Sequence, residues 1–329
     1  MKITNLLNKK LNKKSSSKEM FARDILKGLL AENKNISSKY FYDDLGSKIF
    51  QKITRHKDYY PTRKEIEILS KNISVLPKII NDKKIDIIEL GPGDGSKSKI
   101  IIESFMSSDY KVNYYPIDIS KKALNLISKK IKPNNKLFIH GINGEYLSGL
   151  KFIKNKSKNL KLVLFLGSNI GNLRKQQSEV FVKNIKKNLY KGDYVLLGFD
   201  LKKDIKILNK AYNDSSNLTK KFNLNLLKRI NNELNGDFQI NKFEHVGLYN
   251  PKLGAMESYI VSKVNQKVKI KNLSQTFDFK VYEPIHLEYS FKYSIDDIQH
   301  LCIKTGFTSV KSFYDSKKYF TDVLWRNNR

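Results

Sequence analysis

The sequence predicts an α/β fold: a doubly wound parallel sheet ending in an antiparallel hairpin, with a smaller α+β domain inserted. The apolar, β-branched run Ile85-Asp-Ile-Ile-Glu-Leu90 breaks into Gly91-Pro-Gly-Asp-Gly95, a buried strand feeding a glycine-rich turn. Strand-like and helix-like segments then alternate to about residue 201, the rhythm of a sheet covered by helices on both faces. After a long insert, the chain closes with a helix and two strands joined by a short polar turn.

Taken in order, residues 1–20 read as a flexible basic arm, and a helix is expected from near Lys18. The aromatics and glycine of Tyr40-Phe-Tyr-Asp-Asp-Leu-Gly46 suggest a structured loop, followed by a helical pattern over Ser47 to His56. Pro61 is expected to end one element, and Thr62 to cap a helix beginning at Arg63. Strands are expected at Ile85–Leu90, Val112–Ile117, Lys136–His140, Leu160–Leu166 and Asp193–Phe199, with helices over Ser96–Ser107, Ser120–Ile131 and Lys175–Leu189. In the insert, Ile205 to Leu234 reads as helix, and Phe243–Tyr249, Ala255–Lys263 and Val268–Ile270 as strands. The close is a helix over Ser294–Thr305 with Gly306 as its cap, then strands at Thr308–Tyr314 and Tyr319–Trp325. The expected domains are therefore 21–63 with 203–290, and 64–202 with 291–329.

Composition narrows the function classes. An apolar fraction of 40% supports a sizeable core, and no apolar run approaches the ~20 residues that span a bilayer. The amino terminus is basic and lacks an apolar signal core, so cytoplasmic residence is expected. A single cysteine, Cys302, leaves no disulfide framework or CxxC site, and the five histidines lack metal-ligand spacing, so no metal is expected. The net charge of +30 would suit a nucleic-acid binder, yet lysine is spread along the whole chain without a binding motif. A nucleic-acid patch, if one exists, is expected at Lys9 to Lys18, read as part of the flexible basic arm.

Candidate site residues follow from the glycine turn. Gly91, Gly93 and Gly95 remove side chains where the backbone must turn tightly and approach a ligand. Asp118 ends the next strand at about the spacing where an acid meets ribose hydroxyls, which a carboxylate can accept in pairs. This pattern alone leaves NAD and S-adenosylmethionine both open. The closing helix and hairpin favour a Rossmann-like class I methyltransferase over a dehydrogenase.

An ordered set of motifs carries a closer resemblance. It runs through Phe41-Tyr-Asp-Asp-Leu-Gly-Ser-Lys-Ile-Phe50, Tyr59-Tyr-Pro-Thr-Arg63, Glu89-Leu-Gly-Pro-Gly-Asp-Gly-Ser-Lys97 and Pro116-Ile-Asp118. It continues with Phe165-Leu-Gly-Ser-Asn-Ile-Gly-Asn172, Gly198-Phe-Asp-Leu-Lys-Lys-Asp204, Ala211-Tyr212, Phe243-Glu-His-Val246 and Glu288-Tyr-Ser290. The chain resembles the histidine-specific Nα-methyltransferases of ergothioneine biosynthesis. The resemblance implies S-adenosylmethionine as cofactor and an α-amine as acceptor, with an acceptor domain built from the amino-terminal part and the insert. It places Gly91 and Lys97 near the methionine part of the cofactor and Asp118 on the ribose. Relatives usually have Gly-Asp-aromatic where this chain has Gly141-Ile142-Asn143, so adenine is expected to meet backbone groups there or the Asn143 amide.

On the acceptor side the resemblance assigns Tyr59, Asn172 and Tyr212 to the α-carboxylate and Tyr42 to the amine. Glu288 and Ser290 would read the imidazole, since residues two apart on a strand face one way. Ser258 stands where relatives often carry methionine, which widens the expected pocket and keeps another amino acid or primary amine open as acceptor. The expected enzyme is a monomer acting on a free amino acid, most simply L-histidine to its trimethyl betaine. A basic RNA-binding or RNA-modifying protein is the rival from another class.

Overall fold

The computed structural model describes residues 1–7 and 17–328. Two compact units emerge. The first comprises the amino-terminal strand, Pro61–Lys202 and Lys292–Arg329; the second comprises the described residues up to Tyr60 and Lys203–Phe291.

In chain order the elements begin with β1 (Lys2–Asn5), α1 (Ser17–Leu29), α2 (Asp44–Arg55), α3 (Tyr60–Asn72) and α4 (Leu76–Ile80). The alternating region follows: β2 (Lys84–Leu90), α5 (Ser96–Ser107), β3 (Lys111–Asp118), α6 (Lys121–Lys130), β4 (Leu137–Asn143), α7 (Tyr146–Lys156), β5 (Leu160–Phe165), α8 (Lys175–Lys187) and β6 (Tyr194–Asp200). The insert holds α9 (Ile205–Tyr212), α10 (Leu218–Leu234), β7 (Phe243–Asn250), β8 (Ala255–Ser262), β9 (Gln266–Ile270), β10 (Gln275–Phe279) and β11 (Pro284–Phe291). Last come α11 (Ile295–Thr305), β12 (Thr308–Tyr314) and β13 (Phe320–Arg326).

The first unit is built on an eight-stranded sheet in the order β1-β4-β3-β2-β5-β6-β13-β12. The first six strands in that order run parallel, and the β12–β13 hairpin returns antiparallel to β6. β2 lies between β3 and β5, so the strand order reverses beside it; ligands of open α/β sheets bind at the carboxyl ends of such strands. Ile85, Ile87, Leu162, Leu164 and Leu196 are fully buried, because helices cover both faces. Ser294 and Asp297 form a capping box on α11, and Gly306 ends it at φ 75°.

Four expectations change. Residues 2–5 are not part of a flexible arm: β1 pairs with β4 from Lys2↔His140 to Asn5↔Asn143. Gly141 admits this strand, since a Cβ there would meet Met1 and Ile3 at 3.2 and 3.3 Å. Residues 8–16 of the expected arm, with most of the Lys9–Lys18 patch, lie outside the described residues. The helix expected at Arg63 begins at Tyr60, with Pro61 in its first turn, where a missing N–H costs nothing. The single helix expected over 205–234 is two helices, because the Asp214 carboxylate accepts from the amides of Ser216, Leu218 and Thr219 and starts α10 afresh. Helix α7 and strand β10 were not expected. Gly149 weakens the helical pattern of α7, yet a Cβ there would strike Ile117 at 2.7 Å, so the glycine serves close packing.

In the second unit β11, β8 and β7 form an antiparallel sheet, and β9 pairs with β10. Phe21, Ile25, Phe41, Ile53, Phe222, Leu227 and Ile260 share its core. Among the described residues no helix is long and apolar enough to cross a membrane.

Candidate functional site

The first unit gathers its polar groups at the carboxyl ends of β2, β3, β4 and β5. Leu90 passes directly into Gly91, whose φ of 73° suits glycine and whose amide donates to the Ile117 carbonyl at 3.0 Å. A Cβ on Gly91 would lie 2.6 Å from the Tyr146 hydroxyl and 3.9 Å from the Asn169 amide nitrogen. One on Gly93 would meet nothing within 4 Å, leaving that part of the loop open. Lys97, in the first turn of α5, places Nζ 2.6 Å from Glu65 Oε2. Burial pulls the Lys97 ammonium down, but the charge and hydrogen bond of Glu65 outweigh it and hold the group above the usual lysine range. The other Glu65 oxygen accepts the Gly167 amide at 2.6 Å.

Asp118 ends β3 and accepts the Ser120 amide at 2.7 Å, while the Ser120 hydroxyl caps α6. No described residue bonds the other Asp118 oxygen, and burial pushes this carboxyl up to about 6. Helix capping thus belongs to Ser120 and leaves the acid available to a ligand. Glu89 is occupied differently, accepting from the hydroxyls of Ser98 and Tyr114 inside the sheet.

The Asn143 side-chain nitrogen is already engaged, which leaves the oxygen as the part of this amide open to adenine. The nitrogen's two hydrogens go to the carbonyls of Asp118 at 3.0 Å and Ile119 at 2.9 Å, so the residue braces the turn behind Asp118. The Ile142 side chain is fully buried, and its backbone lies in register between Thr4 of β1 and Ile117 of β3. The added strand turns what would be a sheet edge into sheet interior.

Sequence reasoning missed Glu65, Tyr146 and Asn169. The Tyr146 ring packs edge-on to Phe165, and the hydroxyl of this half-buried residue has no hydrogen-bond partner among the described residues. Glu65 follows the Tyr-Tyr-Pro-Thr-Arg motif closely, but one carboxylate in a charged helix turn gives no sign of facing inward. A zwitterionic nucleoside fits this donor set: an ammonium for a carboxylate, an acid for ribose hydroxyls, and two glycines at positive φ, Gly91 and Gly167, where backbone and ligand can approach.

The second unit brings together Tyr212, Ser258, Glu288 and Ser290. Glu288 pairs with Ser258 and Ser290 with Met256 across β11 and β8, so all four lie on one face. A bulge between His286 and Glu288 sets that face, turning His286 and Tyr289 to the other side. Tyr212, the last residue of α9, donates its hydroxyl to Ser290 Oγ at 2.7 Å. His245 fixes that helix end: Nε2 donates to the Tyr212 carbonyl at 3.0 Å, and Nδ1 accepts from the Asn223 amide at 2.9 Å. Burial keeps His245 below its ordinary pKa, consistent with a neutral, structural imidazole.

Tyr42 is exposed, and its ring meets Phe50 and Phe222 edge-on at 5.5 and 5.7 Å. The turn beneath it depends on Gly46, where a Cβ would sit 1.8 Å from the Phe41 carbonyl, and on Asp43, which caps α2 through the Gly46 amide. Tyr59 lies 6.4 Å from Phe50, centroid to centroid. The adjacent Asp58 accepts the Ser215 amide, which with nearby Lys210 holds its carboxyl down to about 2. Asn172 belongs to the first unit, exposed at the end of a short 3-10 turn after β5.

Residues 21–327 match the family described as "Histidine-specific methyltransferase, SAM-dependent". The histidine N-alpha-methyltransferase of Mycolicibacterium smegmatis is 32% identical over 285 residues, covering 86% of this chain and 87% of that protein. Its namesake from Mycobacterium tuberculosis is 32% identical over 273 residues, covering 82% and 84%. Ergothioneine biosynthesis protein 1 of Schizosaccharomyces pombe is 26% identical over 287 residues, which span 84% of this chain and 37% of that one.

Proposed function

The chain belongs to the histidine-specific, S-adenosylmethionine-dependent methyltransferases, and we propose that it methylates the α-amine of free L-histidine to the trimethyl betaine, hercynine. The observation that carries this reading is the single face holding Glu288, Ser290 and Ser258, with Tyr212 bonded to Ser290. A carboxylate and a hydroxyl at that spacing can address the two nitrogens of one imidazole, Glu288 accepting from an N–H and Ser290 donating or accepting at the other.

In this proposal Lys97 takes the cofactor's carboxylate and Asp118 its ribose hydroxyls. Gly91 and Gly93 leave the backbone open to it, and Tyr146 offers a further donor. S-adenosylmethionine, when bound, supplies the electrophilic sulfonium methyl. Tyr59, Asn172 and Tyr212 are assigned the α-carboxylate through phenol and amide donors, which add no positive charge to a site for a cation. Their work is alignment, because in-line attack by an amine needs position more than activation. An ammonium has no lone pair, so a proton must leave before each transfer; Tyr42 is assigned the role of orienting the amine as it does. We take the enzyme to act as a cytoplasmic monomer on the free amino acid, without nucleic acid.

Ser258 supports one variation, an acceptor larger than histidine, since this small, buried residue is paired directly with Glu288. The test is mass spectrometry of products formed from S-adenosylmethionine and each of the twenty amino acids, with the wild type and Glu288→Ala. Trimethylhistidine from the wild type, strongly reduced in the variant, is the expected result. Methylation of a different amino acid alone would sink the histidine assignment and keep the enzyme class.

A further inference from the structure

Glu65 is fully buried on α3, and both of its oxygens are committed. One receives the Lys97 ammonium at 2.6 Å and the other the Gly167 amide at 2.6 Å. These partners come from separate segments, the first turn of α5 and the loop after β5. They are also neighbours: a Cβ on Gly167 would lie 3.1 Å from Lys97 Nζ. Salt links fix α3 itself, since Lys64 reaches Asp315 at 3.2 Å and the Ser316 amide donates to Glu67 at 3.0 Å.

A second acid stands beside Glu65. Asp322 is fully buried on β13 opposite Gly198 of β6, and neither of its oxygens has a hydrogen-bond partner among the described residues. Gly198 explains the proximity, because a Cβ there would meet Glu65 Oε1 at 2.4 Å and Asp322 Oδ1 at 3.1 Å. Two carboxylates crowded into a dry interior beside one lysine cannot both be ionised cheaply.

We infer that Glu65 is the positioning residue for the cofactor's carboxylate site, holding the Lys97 ammonium and the Gly167 amide in register, and that Asp322 serves it as an uncharged neighbour. Burial, then the charge of Glu65, pushes the Asp322 carboxyl far above the usual range, in keeping with that neutral state. The charge balance follows. Glu65 and Lys97 cancel, a protonated Asp322 adds nothing, burial shifts nearby Glu89 toward its neutral form, and an incoming carboxylate meets an ammonium with two N–H groups left to give. An ionised Asp322 would leave the cluster net negative and repel the same ligand. Gly198 is required in this arrangement because any side chain would displace the Glu65 oxygen.

The inference rests on the S-adenosylmethionine assignment, and ligand binding separates its failure from failure of the acceptor reading. Calorimetry would compare S-adenosylhomocysteine, which carries the carboxylate, with 5′-methylthioadenosine, which lacks the whole amino-acid part. Glu65→Gln should weaken S-adenosylhomocysteine by roughly tenfold or more and leave 5′-methylthioadenosine unchanged. Gly198→Ala, which moves the carboxylate without removing it, should act in the same direction. Asp322→Asn should bind both ligands as the wild type does, because it replaces one neutral group with another. Equal weakening of both ligands in Glu65→Gln and Gly198→Ala would assign Glu65 to general structure and overturn the inference. Unchanged S-adenosylhomocysteine affinity in both would overturn it too, and a selective loss in Asp322→Asn would refute the uncharged neighbour. Wild-type protein that binds S-adenosylhomocysteine yet methylates no histidine would leave the inference standing and remove only the acceptor.

Discussion

At the scale of single residues, Asp118 gives the sharpest expectation. Burial, only partly offset by the single Ser120 amide donor, pushes its carboxyl up to about 6, with no cation beside it among the described residues. Ribose hydroxyls can donate only to the ionised form in full, so ligand affinity should fall as the pH drops below about 6, by up to about tenfold per unit. Calorimetric titration of S-adenosylhomocysteine from pH 5 to pH 8 checks this, and Asp118→Asn should flatten the curve. The shift acts on stability in the opposite sense. The unfolded carboxyl titrates near 3.8, so the native state holds the extra proton between there and about 6 and loses stability as the pH rises through that window. Ser258 concerns specificity. Ser258→Met fills the space beside Glu288 and should raise the preference for histidine over larger amino acids by a modest factor, as one side chain in a pocket is worth about 1–3 kcal/mol. Competition assays with histidine and tryptophan read that ratio; an unchanged ratio removes Ser258 from the pocket. Glu288 and Ser290 were legible in the sequence because a motif carries them at a strand's period of two. Glu65 was not, because its role depends on a glycine more than a hundred positions away.

At the scale of elements, β1 and the end of β4 behave as one construction. The amino-terminal strand adds an edge to the sheet beside Ile142 and Asn143, where adenine contacts were expected. The Asn143 side-chain nitrogen holds the turn after β3 by two carbonyls, only one of which, that of Asp118, also accepts the Gly144 amide. Asn143→Ala should therefore cost about 1 kcal/mol of stability and weaken S-adenosylhomocysteine several-fold, because the Asp118 turn loosens. Thermal unfolding and calorimetry on the same preparation test both halves; a stable variant with wild-type affinity would leave the brace without a role. The long strands and α5, α8 and α11 could be read in advance because each carries its own period, and α11 its caps as well. β1 spans only Lys2–Asn5, and α7 contains Gly149, so neither carries a strong local pattern. Both are fixed by neighbours, β1 by pairing with β4 and α7 by close approach to Ile117.

At the scale of the molecule, the net charge of +30 is spread over surfaces that also carry acidic partners, as in Lys136–Asp109, Lys183–Glu179 and Lys220–Glu244. Exposed pairs of this kind contribute little stability, ~0–1 kcal/mol each, and dilute any single positive field. Excess RNA should therefore leave histidine turnover unchanged at about 150 mM salt, where the Debye length is about 8 Å. Inhibition that persists at that salt would reveal a polyanion site after all. By itself the sequence determined the parallel sheet, its glycine turn, the closing hairpin and the motif residues of both units. It could do so because each depends on local periodicity, backbone conformation or a short ordered string. Only the tertiary structure decided that the Asn143 nitrogen braces a turn, that Ser258 faces Glu288, and that Glu65, Lys97 and Asp322 share one buried cluster. Those relations join residues far apart in the chain through strand register and through the space a glycine leaves, and neither is written in any local stretch of sequence.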